Sequence, residues 1–151
     1  MQRFSIAGAK LDDCSVCAGL LVEQLREHSI ACSVERLSNI LESVIADPMR
    51  GFVLLARVEG QIVGLAYAAA ILSAEHGGPV AWLEELYVAP DHRLGGIGSA
   101  LIGAVVEGAR EMGMVAVDLE VDASHTRVES LYRKHGFERL DRGRWVRKVT
   151  Q

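Results

Sequence analysis

Two long apolar runs, Phe52–Val58 and Gln61–Leu72, meet at the dipeptide Glu59-Gly60. Apolar stretches separated by a two-residue turn containing Gly read as the antiparallel strands of a hairpin. Strands this apolar have to be covered, so the chain must be built around a sheet with helices packed on it. The longest uninterrupted run, Ile62–Leu72, contains Gly64 and is too short to span a bilayer.

The flanking sequence supplies the helices. Phe4–Ala9 reads as a first strand, Asp12 and Asp13 can cap a helix running to about His28, and Ser33 opens a second helix to about Ala46. Asp47-Pro48 and Gly51 end helical structure before the hairpin. Beyond the hairpin, the polar loop Ser73–Pro79 leads to a strand over Val80–Val88, ended by Pro90. Gly98–Met112 has the helical apolar face Leu101, Ile102, Val105, Val106, Ala109 and Met112, and Gly113 stops it. A strand over Val115–Val121 follows. Thr126 and Glu129 have capping-box spacing for a last helix, Gly136 with Phe137 ends it, and Arg144–Val149 returns as a final strand. The order β-α-α-β-β-β-α-β-α-β implies a mixed α/β fold. A length of 151 residues, with no internal repeat or linker, suits a single domain over 1–151 with its own core.

Charge narrows the partners. Sixteen Lys+Arg against 20 Asp+Glu give a net −4, which argues against nucleic acid. Residues 122–151 hold 8 Lys+Arg and 4 Asp+Glu, a surplus of +4 that leaves −8 for residues 1–121. A basic segment on an acidic body suits a small anionic ligand. Three cysteines make no disulfide framework, and MQRFSIAGAK has no leader pattern, so a soluble cytoplasmic protein without a membrane partner is expected. Cys14 and Cys17 form a CxxC that could suggest redox chemistry. They share the helical face of Ala18, Leu21 and Leu25, however, and read as small core residues. No Cys/His set completes a metal site, and none is expected.

The chemistry-bearing stretch is Trp82–Ser99, which runs strand, turn, glycine-rich loop and helix. A helix start offers unsatisfied N–H groups and a positive dipole end, both suited to an anion. Gly95, Gly96 and Gly98 carry no Cβ, so a phosphate can approach the backbone, and Arg93 adds a guanidinium beside it. No Lys-Ser/Thr pair makes it a P-loop, and Leu101 breaks the dinucleotide fingerprint.

At this stretch the chain resembles the GNAT superfamily of acyl-CoA-dependent N-acetyltransferases. Arg93-x-x-Gly96-x-Gly98 matches that family's Arg/Gln-x-x-Gly-x-Gly/Ala motif, preceded by Leu86-x-Val88-x-Pro90. Leu131-Tyr132-Arg133-Lys134-His135-Gly136-Phe137 resembles its Leu-Tyr-x-Lys-x-Gly-Phe ending, and the element order fits essentially the whole chain. The Leu-Glu-Glu stretch at Glu84 and Glu85 is more weakly similar to the diamine acetyltransferase branch. The resemblance implies a mixed central sheet of six to seven strands with helices on both faces. It implies acetyl-CoA as co-substrate, with its pyrophosphate on the N–H groups of Leu94, Gly95, Gly96, Ile97, Gly98 and Ser99 beside Arg93. The pantetheine arm would run along Leu86, Tyr87 and Val88, where an N–H of Tyr87 or Val88 would polarise the thioester carbonyl. Tyr132 matches the general acid. His125 and Val128 stand where the family often has Asn and Ala, and His125, which can still hydrogen-bond, is the candidate for that Asn's contact with the pantetheine amide.

The acceptor would be a primary amine of a small molecule or peptide: a polyamine, amino acid, aminoglycoside or peptide amine. It must be neutral to attack, and an alkylammonium with pKa near 10.4 is only about one part in 10³ neutral at pH 7. Glu84 and Glu85 are the candidate bases. Neighbours on a regular strand face opposite ways, so only one points into the site unless a bulge intervenes; Glu84 shares a face with Leu86 and Val88, and Glu85 with Tyr87. A homodimer is compatible with the resemblance, though no residue locates its interface. The reading from another class is a catalytically silent CoA-binding or regulatory module.

Overall fold

A computed structural model describes residues 2–122, 125 and 127–150, which fall into two compact units, 1–120 and 121–151. The first contains a five-stranded sheet in the order β1-β2-β3-β4-β5. Its strands are β1 (Ser5–Gly8), β2 (Gly51–Val58), β3 (Gln61–Ser73), β4 (Gly78–Val88) and β5 (Ala116–Leu119). β1 to β4 are antiparallel neighbours and β5 runs parallel to β4, so the sheet is mixed, with one strand fewer than the low end of the expected range.

The expected hairpin forms at Glu59-Gly60, both at positive φ (49° and 81°), the twist that a two-residue turn needs to match its strands. Gly51 starts β2 at φ 136°, where an added Cβ would lie 2.0 Å from the Ala68 carbonyl oxygen of β3. The position excludes any other residue.

Helices α1 (Cys14–Glu27) and α2 (Val34–Ala46) cover one face of the sheet. Ser33 caps α2 by accepting the Arg36 N–H at 3.1 Å. Asp12 and Asp13 make no such cap: Asp13 accepts from Lys10 N–H at 2.9 Å and pairs with Arg57 at 2.7 Å, tying the turn before α1 to β2. The Lys10 N–H bond, helped by Arg57 and opposed by burial, holds the Asp13 carboxyl below its usual range. Cys14 and Cys17 are both 1% exposed and pack with Leu21, Leu41, Leu55, Leu65 and Tyr87. Helix α3 (Ile97–Glu111) covers the opposite face through Ile97, Leu101, Val105 and Ala109 against Ala56, Ala66, Ala68, Ala81 and Leu83. Small residues along β3 let the helix approach the sheet closely.

The second unit contains α4 (Arg127–Lys134). Gly136 at φ 85° ends it, with Gly136 N–H donating to Arg133 O at 3.0 Å and Phe137 N–H to Tyr132 O at 3.1 Å. The Phe137 ring meets the Tyr132 ring edge-on at 5.8 Å. Thr126 of the expected capping box lies outside the described residues. Residues 144–149 do not form the expected final strand. Trp145, Val146 and Val149 stand 94%, 79% and 92% exposed, and a strand without a ladder partner gains nothing from its β-propensity.

Candidate active site

Glutamates 84 and 85 sit at a break in the β3–β4 register. Ala68 pairs with Leu83 and Tyr67 with Glu85, which leaves Glu84 as the extra residue of a bulge. The strict alternation expected for neighbours therefore does not hold here. Glu85 shares a face with Tyr87, as expected, and also with its cross-strand partner Tyr67, on the side covered by α1 and α2. Glu84 is exposed and Glu85 half-buried. Burial, and secondarily the Glu84 charge, push the Glu85 carboxyl up from 4.5 to about 7. The same causes raise the Tyr67 phenol: burial first, then Glu84 and Glu85. Tyr67 also lines a cavity of about 410 Å³ with Ile40, Ser43, Val44, Met49, Arg50 and Ala70. A carboxyl that is half ionised near neutral pH, beside a cavity of mixed lining, can take a proton from an alkylammonium.

Past Leu83, β4 loses its partner β5, and no other strand among the described residues pairs with its outer edge. Ala89 N–H donates to Val63 O at 2.8 Å, so alternation turns the polar groups of Tyr87 toward β3 and those of Leu86 and Val88 away from it. Both outward carbonyls are taken. Gln24 Nε2 of α1 donates to Leu86 O at 3.1 Å, and Arg93 Nε donates to Val88 O at 2.8 Å. Of the two N–H groups expected near a thioester carbonyl, Val88's faces the open edge and Tyr87's is committed to the sheet.

Arg93 is held inward. Besides Val88 O, it donates to both carboxylate oxygens of Glu27 at 3.1 and 3.5 Å, and its guanidinium lies 5.2 Å from the centre of the Tyr87 ring. The Tyr87 hydroxyl donates to Glu27 at 3.4 Å, and burial together with the Glu27 charge raises its pKa. Arg93 thus brackets the end of β4 to α1 as well as standing at the start of the glycine loop.

The loop itself is built as the glycines suggest. Gly96 caps α3 at φ 88°, and Leu94, fully exposed, sits at φ 67°. Left-handed backbone at a branched residue costs about 1–2 kcal/mol. An added Cβ at Gly96 would meet nothing within 4 Å, and at Gly95 and Gly98 only ordinary contacts at 3.9 and 4.0 Å, so the ledge is open. The N–H groups of Leu94, Gly95, Gly96, Ile97 and Gly98 have no partner among the described residues. Ser99 follows within the first turn of α3. Such a cluster of unpaired donors at a helix start fits a diphosphate.

Tyr132 and His125 belong to the second unit. Tyr132 lies on α4, half-buried, and burial raises its phenol. His125 is exposed; its N–H donates to Asp122 O at 2.8 Å and its carbonyl accepts from Val128 N–H at 3.3 Å. The two cysteines are structural, as their helical spacing suggests. Cys17 is pushed up to about 12 by burial, and the Cys14 thiol is also raised, the reverse of what a reactive thiol needs. His76 hydrogen-bonds Asp118 at 3.1 Å, linking the β3–β4 turn to β5. Arg142, Arg144, Arg147 and Lys148 are exposed.

Gln24, Glu27 and Tyr67 carry no motif. Gln24 was detectable only as a polar residue three positions after Leu21 on an otherwise apolar helix face.

A model of the acetyltransferase (GNAT) family matches residues 18–137. A mycothiol acetyltransferase of Pseudarthrobacter chlorophenolicus is 35% identical over 94 residues, 60% of this chain and 28% of that protein. The chain thus covers under a third of that relative's length. Among solved structures, a possible acetyltransferase from Clostridium difficile 630 superposes with a TM-score of 0.84 at 17% identity, covering 98% of this chain and 99% of that one. An aminoglycoside N-acetyltransferase in complex with CoA gives 0.83 at 20% identity, covering 99% and 97%. These structures share the fold.

Proposed function

Because the chain belongs to the acetyltransferase (GNAT) family, we propose that residues 1–151 act as one domain transferring the acetyl group of acetyl-CoA to a primary amine. The observation that carries this reading is the ledge of unpaired N–H groups from Leu94 to Gly98, beside the open edge of β4. The ledge would hold the diphosphate and the edge would hold the extended arm. Acetyl-CoA brings the activated acetyl group as a thioester.

The protein's own groups then have three tasks. Glu85, ionised above about pH 7, takes a proton from the acceptor's ammonium, so that a neutral nitrogen can attack. Val88 N–H, turned to the open edge, stabilises the charge that builds on the carbonyl oxygen as the new C–N bond forms. Tyr132 steadies the departing sulfur as the C–S bond breaks. Its ordinary pKa near 10 already lies above a thiol near 8.5, and burial lifts it further. Hydrogen bonding to the leaving thiolate, with the proton arriving from solvent, is therefore the better description of its role. The products are the acetylated amine, free CoA and one proton.

The cavity beside Tyr67 receives the acceptor. It is apolar along Ile40, Val44, Met49 and Ala70, which suits an amine on an apolar or mixed body. The mycothiol and aminoglycoside acetyltransferases among its relatives put small amines at the head of the acceptor panel. The test is CoA release, read by thiol titration, across aminoglycosides, amino sugars, polyamines, amino acids and peptide N-termini. Turnover on one of these supports the reading; acetyl-CoA binding with no turnover on any would favour a silent CoA-binding module instead.

A further inference from the structure

The outer edge of β4 is unusual in what it lacks. A free strand edge normally presents alternating N–H and C=O groups. Here the two outward carbonyls beyond the bulge, Leu86 O and Val88 O, are occupied by Gln24 Nε2 and Arg93 Nε, so from Leu86 to Val88 only donors remain. One acceptor stands among them. Gln24 Oε1 is buried and has no hydrogen-bond partner. Its orientation is fixed, because turning the amide over would set Oε1 against the Leu86 carbonyl oxygen and lose the 3.1 Å bond. A buried, unsatisfied amide oxygen costs about 1–3 kcal/mol, and a ligand N–H would relieve that cost.

We propose that Gln24 is a binding residue for the coenzyme's arm: Nε2 holds the Leu86 carbonyl while Oε1 accepts an amide N–H of the pantetheine chain. The inference rests on the acetyl-CoA reading above and deepens it. The chemistry matches at both kinds of group. A pantetheine chain carries amide carbonyls, which a donor-only edge can take, and amide N–H groups, which need an acceptor that the edge no longer offers. Gln24 supplies that acceptor and so sets the register of the arm, and with it the position of the thioester along β4. Arg93 and Glu27 complete the arrangement by keeping Val88 O occupied.

The test compares CoA with adenosine 3′,5′-bisphosphate, which lacks the arm, by calorimetry on the full chain. In Gln24→Met the affinity for CoA should fall about tenfold, while that for the bisphosphate stays within about twofold of wild type. Equal affinities for CoA in the variant and wild type would overturn the inference, as would parallel losses for both ligands. A measurement on the unaltered protein guards against a misfolded variant. The Gln24 side-chain amide resonances should move on adding CoA and stay in place on adding the bisphosphate; unmoved resonances with CoA bound would overturn the proposal. Wild type that bound neither ligand would instead remove the acetyl-CoA reading, and this inference with it.

Discussion

Replacing Glu85 with Gln keeps the shape of the side chain and removes its ionisation. Burial raises the native carboxyl from 4.5 to about 7, so between those values the folded chain holds a proton that the unfolded chain has lost. Stability from this group is therefore fully present below about pH 4.5 and is lost as pH rises toward 7. At 1.36 kcal/mol per tenfold change in acidity the full difference is about 3 kcal/mol, trimmed to about 2 by the water that reaches the side chain. Glu85→Gln should thus match wild type at pH 4 and exceed it by about 2 kcal/mol at pH 8, or about 4–8 °C in Tm for a chain of this size. Urea unfolding at a series of pH values reads the difference directly. The same substitution should lower kcat/KM by about 10²–10⁴ and abolish the limb near pH 7 in its pH profile. A stability difference that is flat from pH 4 to 8 would refute the assigned burial. A retained limb with near-normal kcat/KM would remove Glu85 from the chemistry and leave Glu84 as the remaining candidate.

Gly96→Asp puts a carboxylate on the N–H ledge and should weaken acetyl-CoA binding by at least about a hundredfold, measured by calorimetry. Its Tm should drop only a few degrees, because Asp tolerates left-handed backbone better than most residues. Tyr132→Phe should lower kcat at least about tenfold while the acetyl-CoA Kd stays within about twofold, since the hydroxyl acts on the leaving sulfur. Equal kcat would exclude it. The Cys14→Ala/Cys17→Ala double variant should keep full activity, and in the native wild type both thiols should resist iodoacetamide until the chain unfolds; rapid native alkylation would contradict their burial.

Local chemistry was legible in the sequence where local chemistry decides structure. Glu59-Gly60, Ser33, Gly96 and Gly136 each mark a turn or cap by their own conformational preference, and the apolar spacings of α1 and α3 mark the buried faces, except at Met112, which lies past the end of α3 and is exposed. Features that depend on distant partners were not legible. The bulge at Glu84 exists because Tyr67 pairs with Glu85 and Ala68 with Leu83, a register that strand periodicity cannot reveal. Arg93 was readable as a cation beside a glycine loop, but its bonds to Val88 O and Glu27 depend on how α1 docks against β4. Asp13, read as a cap, is drawn to Arg57 instead. Residues 144–149 carry the β-favouring Trp145, Val146 and Val149, yet a strand needs a neighbour, and local composition says nothing of whether one is at hand.

The most direct test is an amide-resolved NMR titration of the ¹⁵N-labelled protein with acetyl-CoA. The backbone N–H resonances of Leu94 to Ser99 should shift most, followed by those of Leu86 and Val88, while Tyr87 N–H, bonded within the sheet, should move least among the β4 residues past Leu83. Binding that left the 94–99 amides in place and perturbed another surface would contradict the account.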